Sequence, residues 1–191
     1  MIRIRRLFQF SGLVLSLSTF IVCLGCASLP LSAPGTKPKI INAYAQDTGR
    51  YRDPLMIYIE VDDPGGYIFR IATAVIQVGY GYYPTSWIYL NPPVPNHLIG
   101  YLQWNTSSSN TLFLPEWTQV TIEVSVFDTS GNESNAVAFP FTFVSERLSR
   151  HPPPPPFDRP DIPRLGYVSV DLYDPETMGD DRGLEGPLLI R

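Results

Sequence analysis

Between Leu55 and Val144 the chain alternates apolar and polar residues with a period of two, and clusters of Pro, Gly, Asp and Asn cut the alternation into short runs. That period places one set of side chains on each face of an extended strand, whereas a helix needs a recurrence every three to four residues. Leu55, Ile57, Ile59 and Val61 alternate with Met56, Tyr58, Glu60 and Asp62, which predicts a half-buried strand. Asp63-Pro64-Gly65-Gly66 is then expected to turn the chain. A β-rich run follows from Tyr67 to Val78 and is interrupted by Gly79 and Gly81. Trp87 to Leu90 predicts another short strand before Asn91-Pro92-Pro93-Val94-Pro95-Asn96 loops away. Pieces at Ile99 to Asn105 and Thr111 to Leu114 flank a Ser-rich turn at 106–110.

The clearest hairpin comes last. Val120, Ile122, Val124 and Val126 alternate with Thr121, Glu123, Ser125 and Phe127. Asp128-Thr129-Ser130-Gly131-Asn132 makes the turn, and a return strand runs from about Asn135 to Val144. Pro140 cannot donate to a ladder, so that strand is expected at an edge or bulged. The 20 prolines and 14 glycines of the chain oppose helices. Seven or eight short strands in about 105 residues predict an all-β, antiparallel two-sheet sandwich over residues 39–146.

The stretch from Thr118 to Ser134, an alternating strand running into an Asp-x-x-Gly-Asn turn, resembles the penultimate strand and hairpin of bacterial immunoglobulin-like and fibronectin type III-like domains. The resemblance implies an Ig-like sandwich. Val120 stands where the fibronectin pattern has its corner tyrosine, and no cysteine is available for the disulfide of antibody domains.

The N-terminus reads as an address. Met1 to Arg6 is short and positive, Leu7 to Leu24 is apolar apart from Gln9, Ser11, Ser16, Ser18 and Thr19, and small residues then surround a cysteine in Leu24-Gly25-Cys26-Ala27. That order is a secretory signal. The segment resembles the bacterial lipoprotein signal, which Gly25 and Cys26 match, while Cys23 and Leu24 depart from the usual occupants of their positions. The resemblance implies cleavage between Gly25 and Cys26 and attachment of acyl chains to Cys26, an anchor strengthened by about 0.8 kcal/mol per buried CH₂. The localisation it implies is the bacterial cell envelope, on the outer membrane in a diderm because Ala27 follows the cysteine. The competing reading is an uncleaved transmembrane helix over residues 7–24. Under either, the rest of the chain lies outside the cytoplasm.

The organisation that follows is a signal at 1–25, the lipid-attachment cysteine with a flexible tether at 26–38, the sandwich, a Pro-rich spacer at 147–165 and an acidic tail at 166–191. The tail is read as disordered. The alternative is a strand added to a sheet edge, carried by Val168, Val170 and Leu172 alternating with Ser169, Asp171 and Tyr173.

Once Arg3, Arg5 and Arg6 leave with the signal, 11 of the 14 basic residues face all 18 acidic ones, and nucleic acid is excluded as an expected partner. With Cys23 and Cys26 accounted for, no thiol remains for a disulfide, a zinc site or catalysis. His97 and His151 are the only histidines and read as surface residues, so no enzyme, cofactor or metal is expected. Asp174, Glu176, Gly179 and Glu185 match four positions of a calcium loop, but Met178 takes a ligand position, and Pro175, Gly186 and Pro187 oppose flanking helices. Asp62, Asp63 and the Asp128/Asn132 pair read as turn formers. The remaining candidate is the aromatic cluster Tyr80, Tyr82, Tyr83, Trp87 and Tyr89, whose rings suit stacking on sugars or anchoring a protein; ordinary core or rim packing is the alternative. The function expected is therefore a lipid-anchored binding or structural module facing an envelope protein, or a carbohydrate-binding accessory module using that cluster.

Overall fold

The computed structural model describes residues 37–108, 118–146 and 151–173. The signal and its cysteine, the Thr111 to Leu114 piece and the Asp174 to Glu185 constellation lie outside them. The described chain is all-β: β1 (Lys39–Ala45), β2 (Thr48–Gly49), β3 (Leu55–Gln77), β4 (Gly81–Tyr82), β5 (Ser86–Ser107), β6 (Gln119–Asp128), β7 (Val137–Phe143) and β8 (Arg164–Asp171).

Two long strands organise the rest. β3 and β5 pair antiparallel from Leu55↔Trp104 to Thr73↔Ser86. The first half of β3 also pairs with β1, and its second half with β6. One layer is therefore β1, the start of β3, the end of β5 and then β8; the other is β7, β6, the end of β3 and the start of β5. The two pack face to face as an Ig-like sandwich, with one apolar core between them.

At its centre Trp104 of the first layer meets Phe141 of the second edge-on, with ring centroids 5.5 Å apart, and Phe141 in turn meets Phe143 at 5.0 Å. The alternation of β3 supplies Ile57, Ile59 and Val61 to the same core, all at or below 1% exposure.

The turn expected at Asp63–Gly66 is not a reversal. β3 continues through it, with register shifts between Asp63 and Tyr67 and again between Ile68 and Arg70. Gly65 takes a left-handed φ of 83°, and its N–H donates to Asn96 Oδ1 at 3.0 Å. The Pro-rich stretch 91–96 likewise stays within β5, with Val94, Pro95 and Asn96 opposite Ile68, Tyr67 and Asp63. Turn residues here make bulges, which bend a strand from one layer into the other while keeping the ladder.

The last hairpin forms as expected. β6 and β7 pair from Gln119↔Thr142 to Val124↔Val137, and Asp128 Oδ1 and Oδ2 accept from the Asn132 backbone N–H and Nδ2 at 2.8 and 2.7 Å. Pro140 is exposed on β7, whose other neighbour among the described residues is the two-residue β2 at Thr142 and Phe143. That is the edge position a missing N–H requires.

The C-terminal expectations change. Residues 164–171 form β8, parallel to β5 from Tyr101↔Arg164 to Ser107↔Asp171, so the strand alternative holds over this part of the tail. Val168, Val170 and Leu172 are buried in the core cluster, and their apolar burial offsets part of the cost of ordering the segment. Nor is the proline segment only a spacer: Phe157 is 3% exposed.

Trp104→Ala is expected to cost about 3–5 kcal/mol, because the truncation leaves a cavity between the layers. Urea unfolding of the two proteins measures it, and a loss below about 1 kcal/mol would show that the layers do not meet on this ring.

Candidate functional site

The five aromatics singled out in the sequence separate into two groups. β5 places Ile88 and Leu90 inward and Trp87 and Tyr89 outward. On the adjacent β3, Ala72 lies opposite Trp87 and Arg70 opposite Tyr89, while on β6 Ser125 and Phe127 lie opposite Ala72 and Arg70. The small Ala72 and Ser125 leave room for the Trp87 ring, which reaches Phe127 at 5.4 Å. The Arg70 guanidinium sits over both rings, 4.4 Å from Trp87 and 4.9 Å from Phe127. Tyr89 packs edge-on against Phe69 at 5.5 Å. Trp87 is 41% exposed and Tyr89 57%. The outer face of this layer therefore carries a cationic and aromatic surface able to stack on planar or apolar ligand faces and to donate hydrogen bonds from Arg70.

Tyr80 and Tyr83 belong elsewhere. Gln77, 2% exposed at the end of β3, donates from Nε2 to the Tyr173 carbonyl at 2.5 Å. The Tyr83 hydroxyl donates to Gln77 Oε1 and accepts from the Tyr173 N–H at 2.9 Å. Tyr80 stacks on the Tyr173 ring, centroids 4.8 Å apart and planes 4° from parallel. Burial pushes the Tyr83 phenol up to about 12, against a smaller opposing effect of the Tyr173 N–H. This group clamps the end of the arm that carries β8, so for Tyr80 and Tyr83 the packing alternative is the one the geometry supports. Tyr82, 79% exposed, projects from β4.

Sequence reasoning missed Arg70, Phe69 and Phe127 because they lie on other strands. The signal was the outward parity of Arg70 and Phe127, legible only once the register of β3 against β5 and β6 is known.

His97 lies on β5 opposite Asp62 of β3. Its ring is exposed on the outer face of the first layer, with Nδ1 2.7 Å from Asp62 Oδ1 and Nε2 3.4 Å from Glu60 Oε1. Glu60 also accepts from Asn42 Nδ2 at 2.6 Å. Exposed pairs of this kind contribute about 0–1 kcal/mol. His151 borders a cleft with Pro152, Tyr44 and Tyr58. No group of three or more His, Cys, Asp or Glu side chains that could hold a metal occurs among the described residues.

Asp63 departs from its expected role as a turn former whose side chain hydrogen-bonds local backbone. It is fully buried, and neither carboxyl oxygen has a hydrogen-bond partner among the described residues. A Cβ on Gly66 would overlap the carboxyl group, so any other residue there would force the Asp63 side chain to move. Burial, and secondarily the Asp128 charge, raise the Asp63 carboxyl above its ordinary range.

Comparison with protein-family models and with curated proteins gives no match. Among solved structures the chain is similar to the CARDB domain of the PF1109 protein from Pyrococcus furiosus, crystallised in complex with di-metal ions. Identity is 10% and the TM-score 0.33, over 60% of this chain and 93% of that one. It is also similar to the PKD domain of an M14-like peptidase from a Thermoplasmatales archaeon, at 16% identity and a TM-score of 0.36 over 57% and 98% of the two chains. A third is the sporulation control protein Spo0M from Bacillus subtilis, at 7% identity and a TM-score of 0.36 over 58% and 50%.

The Asp63 geometry sets a pH dependence. Its carboxyl titrates higher folded than unfolded, so the folded chain holds the extra proton, and stability falls as pH rises from about 4 through the folded value. Asp63→Asn, which cannot ionise, is expected to remove that component. Urea midpoints of both proteins between pH 4 and pH 8 test it: the wild type should lose more stability than the variant, and parallel profiles would refute the assignment.

Proposed function

We propose that this chain is a lipid-anchored, non-catalytic binding module of a bacterial cell envelope, tethered through Cys26 and engaging an envelope partner with the Arg70–Trp87–Tyr89 face of its sandwich. The observation that carries the reading is that face itself: two aromatic rings, 41% and 57% exposed, lie beside an arginine on the outer side of a sheet. Aromatic and arginine side chains are the residue types that dominate binding hot spots. The anchor rests on the sequence, whose Leu-Gly-Cys-Ala segment follows an apolar run and a basic start. A tether over residues 26–38 would give the domain reach from the bilayer.

A second reading of the same face is glycan recognition, favoured by the outward aromatic pair on one strand, Trp87 and Tyr89, since sugar rings present apolar C–H faces to such rings. Tyr83 contributes less to that reading, because its hydroxyl is taken up by Gln77 and Tyr173, and Tyr80, 40% exposed, lies apart from Trp87 with its ring stacked on Tyr173.

Two experiments test these proposals. Cys26→Ser expressed in a bacterial host should move the protein from the membrane fraction to the soluble periplasmic fraction and block metabolic labelling with palmitate. Unchanged labelling or fractionation would sink the anchor. Trp87→Ala combined with Tyr89→Ala should keep the fold, as read by circular dichroism, and weaken partner capture by about 2 kcal/mol, roughly thirtyfold. Crosslinking in membranes and retention on cell-wall polysaccharide distinguish a protein from a glycan, and unaltered signals in both would remove this face from the proposal.

A further inference from the structure

The outer face of the first layer carries tyrosines in register. Tyr44 of β1 lies opposite Tyr58 of β3, and Tyr58 opposite Tyr101 of β5, with ring centroids 6.3 and 5.6 Å apart. The segment His151-Pro152-Pro153-Pro154-Pro155-Pro156-Phe157 lies against this row. Phe157 is its anchor, 3% exposed, with its ring 5.5 Å from Tyr58 and its N–H donating to the Pro154 carbonyl at 2.8 Å.

The prolines are held less closely. Pro152, Pro154 and Pro155 are exposed, and a cleft of about 340 Å³ opens where His151, Pro152 and Pro153 face Tyr44, Met56 and Tyr58. A row of aromatic rings is the surface on which polyproline segments dock; here residues 151–154 form the part outside any turn, and the Phe157 N–H bond to Pro154 closes a turn that sets the ring on Tyr58. One buried aromatic anchor beside an unfilled cleft is the geometry of a ligand docked in cis, unlike the close packing of a core.

We propose that the Tyr44–Tyr58–Tyr101 face is a binding site for a proline-rich segment of a partner protein, a run of prolines followed by an aromatic residue, and that residues 151–157 are its resident competitor. The face is distinct from the Trp87 surface and lies on the other layer. Tethering gives the resident segment an effective concentration in the millimolar range, so the intact chain binds such a partner only in the fraction of molecules whose segment is released.

The test uses the mature full-length chain and a fluorescent peptide copying residues 151–163. Phe157→Ser should bind the peptide at least about tenfold more tightly than the wild type by anisotropy. Adding Tyr58→Ala should abolish the gain, and a peptide with Gly and Ser in place of the prolines should show none. A folded Phe157→Ser chain without the gain, a gain indifferent to Tyr58→Ala, or equal binding of the proline-free peptide would each overturn the proposal. Should Phe157→Ser fail to fold, replacing Pro152–Pro156 by Gly and Ser in the chain keeps the anchor and must shift the affinity in the same direction.

Discussion

The ladder between β3 and β5 is the interaction on which the other elements depend. It runs from Leu55↔Trp104 at one end to Thr73↔Ser86 at the other and belongs to both layers, so β1, β4, β6 and β8 attach to one half of it directly, and β7 and β2 follow through β6. β1 and β8 flank the half that carries Ile57, Leu102 and Trp104, whereas β6 and β7 extend the half that carries Ile71, Val75 and Ile88. The ladder can serve both layers because it bends at the Asp63 to Arg70 bulges. The first inserts residues on β3, the second inserts them on β5 and, against β6, one on β3, and each changes which parity of β3 points inward. Positions 57, 59 and 61 are buried before the bulges, 68 between them, and 71, 73, 75 and 77 after them.

The same parity changes explain how much of the fold was legible. Strands without a bulge, the start of β3 and the whole of β6, could be read residue by residue, because a constant period of two is visible in one dimension. The run from Tyr67 to Val78 yielded only its β character, since a change of phase between Ile68 and Arg70 and the polar Thr73 and Gln77 at inward positions blur its alternation. Asp63-Pro64-Gly65-Gly66 and the prolines at 92, 93 and 95 carry the composition of turns, yet cross-strand pairing keeps them inside the ladder. Local propensity cannot anticipate that partner. β8 was legible only as an alternative, because a six-residue alternation in an acidic tail becomes a strand through the apolar slot that β5 leaves beside Trp104 and Thr106.

The candidate site was half legible for a related reason. Trp87 and Tyr89 stood out as outward residues of one strand. The arginine that sits over Trp87 comes from a strand some 17 residues earlier, and Phe127 from one 40 residues later, so the surface exists only in the register of three strands. Tyr80 and Tyr83 are close to Trp87 in sequence and are separated from it in the fold, because Gly79 and Gly81 carry them around the end of the β3–β5 ladder toward Gln77 and Tyr173.

Both layers present aromatic residues outward, and the connectivity decides which remain open. The chain leaves the second layer at the end of β7 and must return to the first to pair β8 with β5, so its proline segment lies over the outer face that holds Tyr44, Tyr58 and Tyr101. Gly100 and Gly166 permit that return, since a Cβ at Gly100 would overlap Leu165 and one at Gly166 would press on Ile88. Among the described residues no strand or strap crosses the Arg70–Trp87–Tyr89 face in the same way, and Trp87 and Tyr89 keep their exposure. Among the described residues the second layer thus keeps its outward aromatics exposed, while the chain's own prolines lie over those of the first.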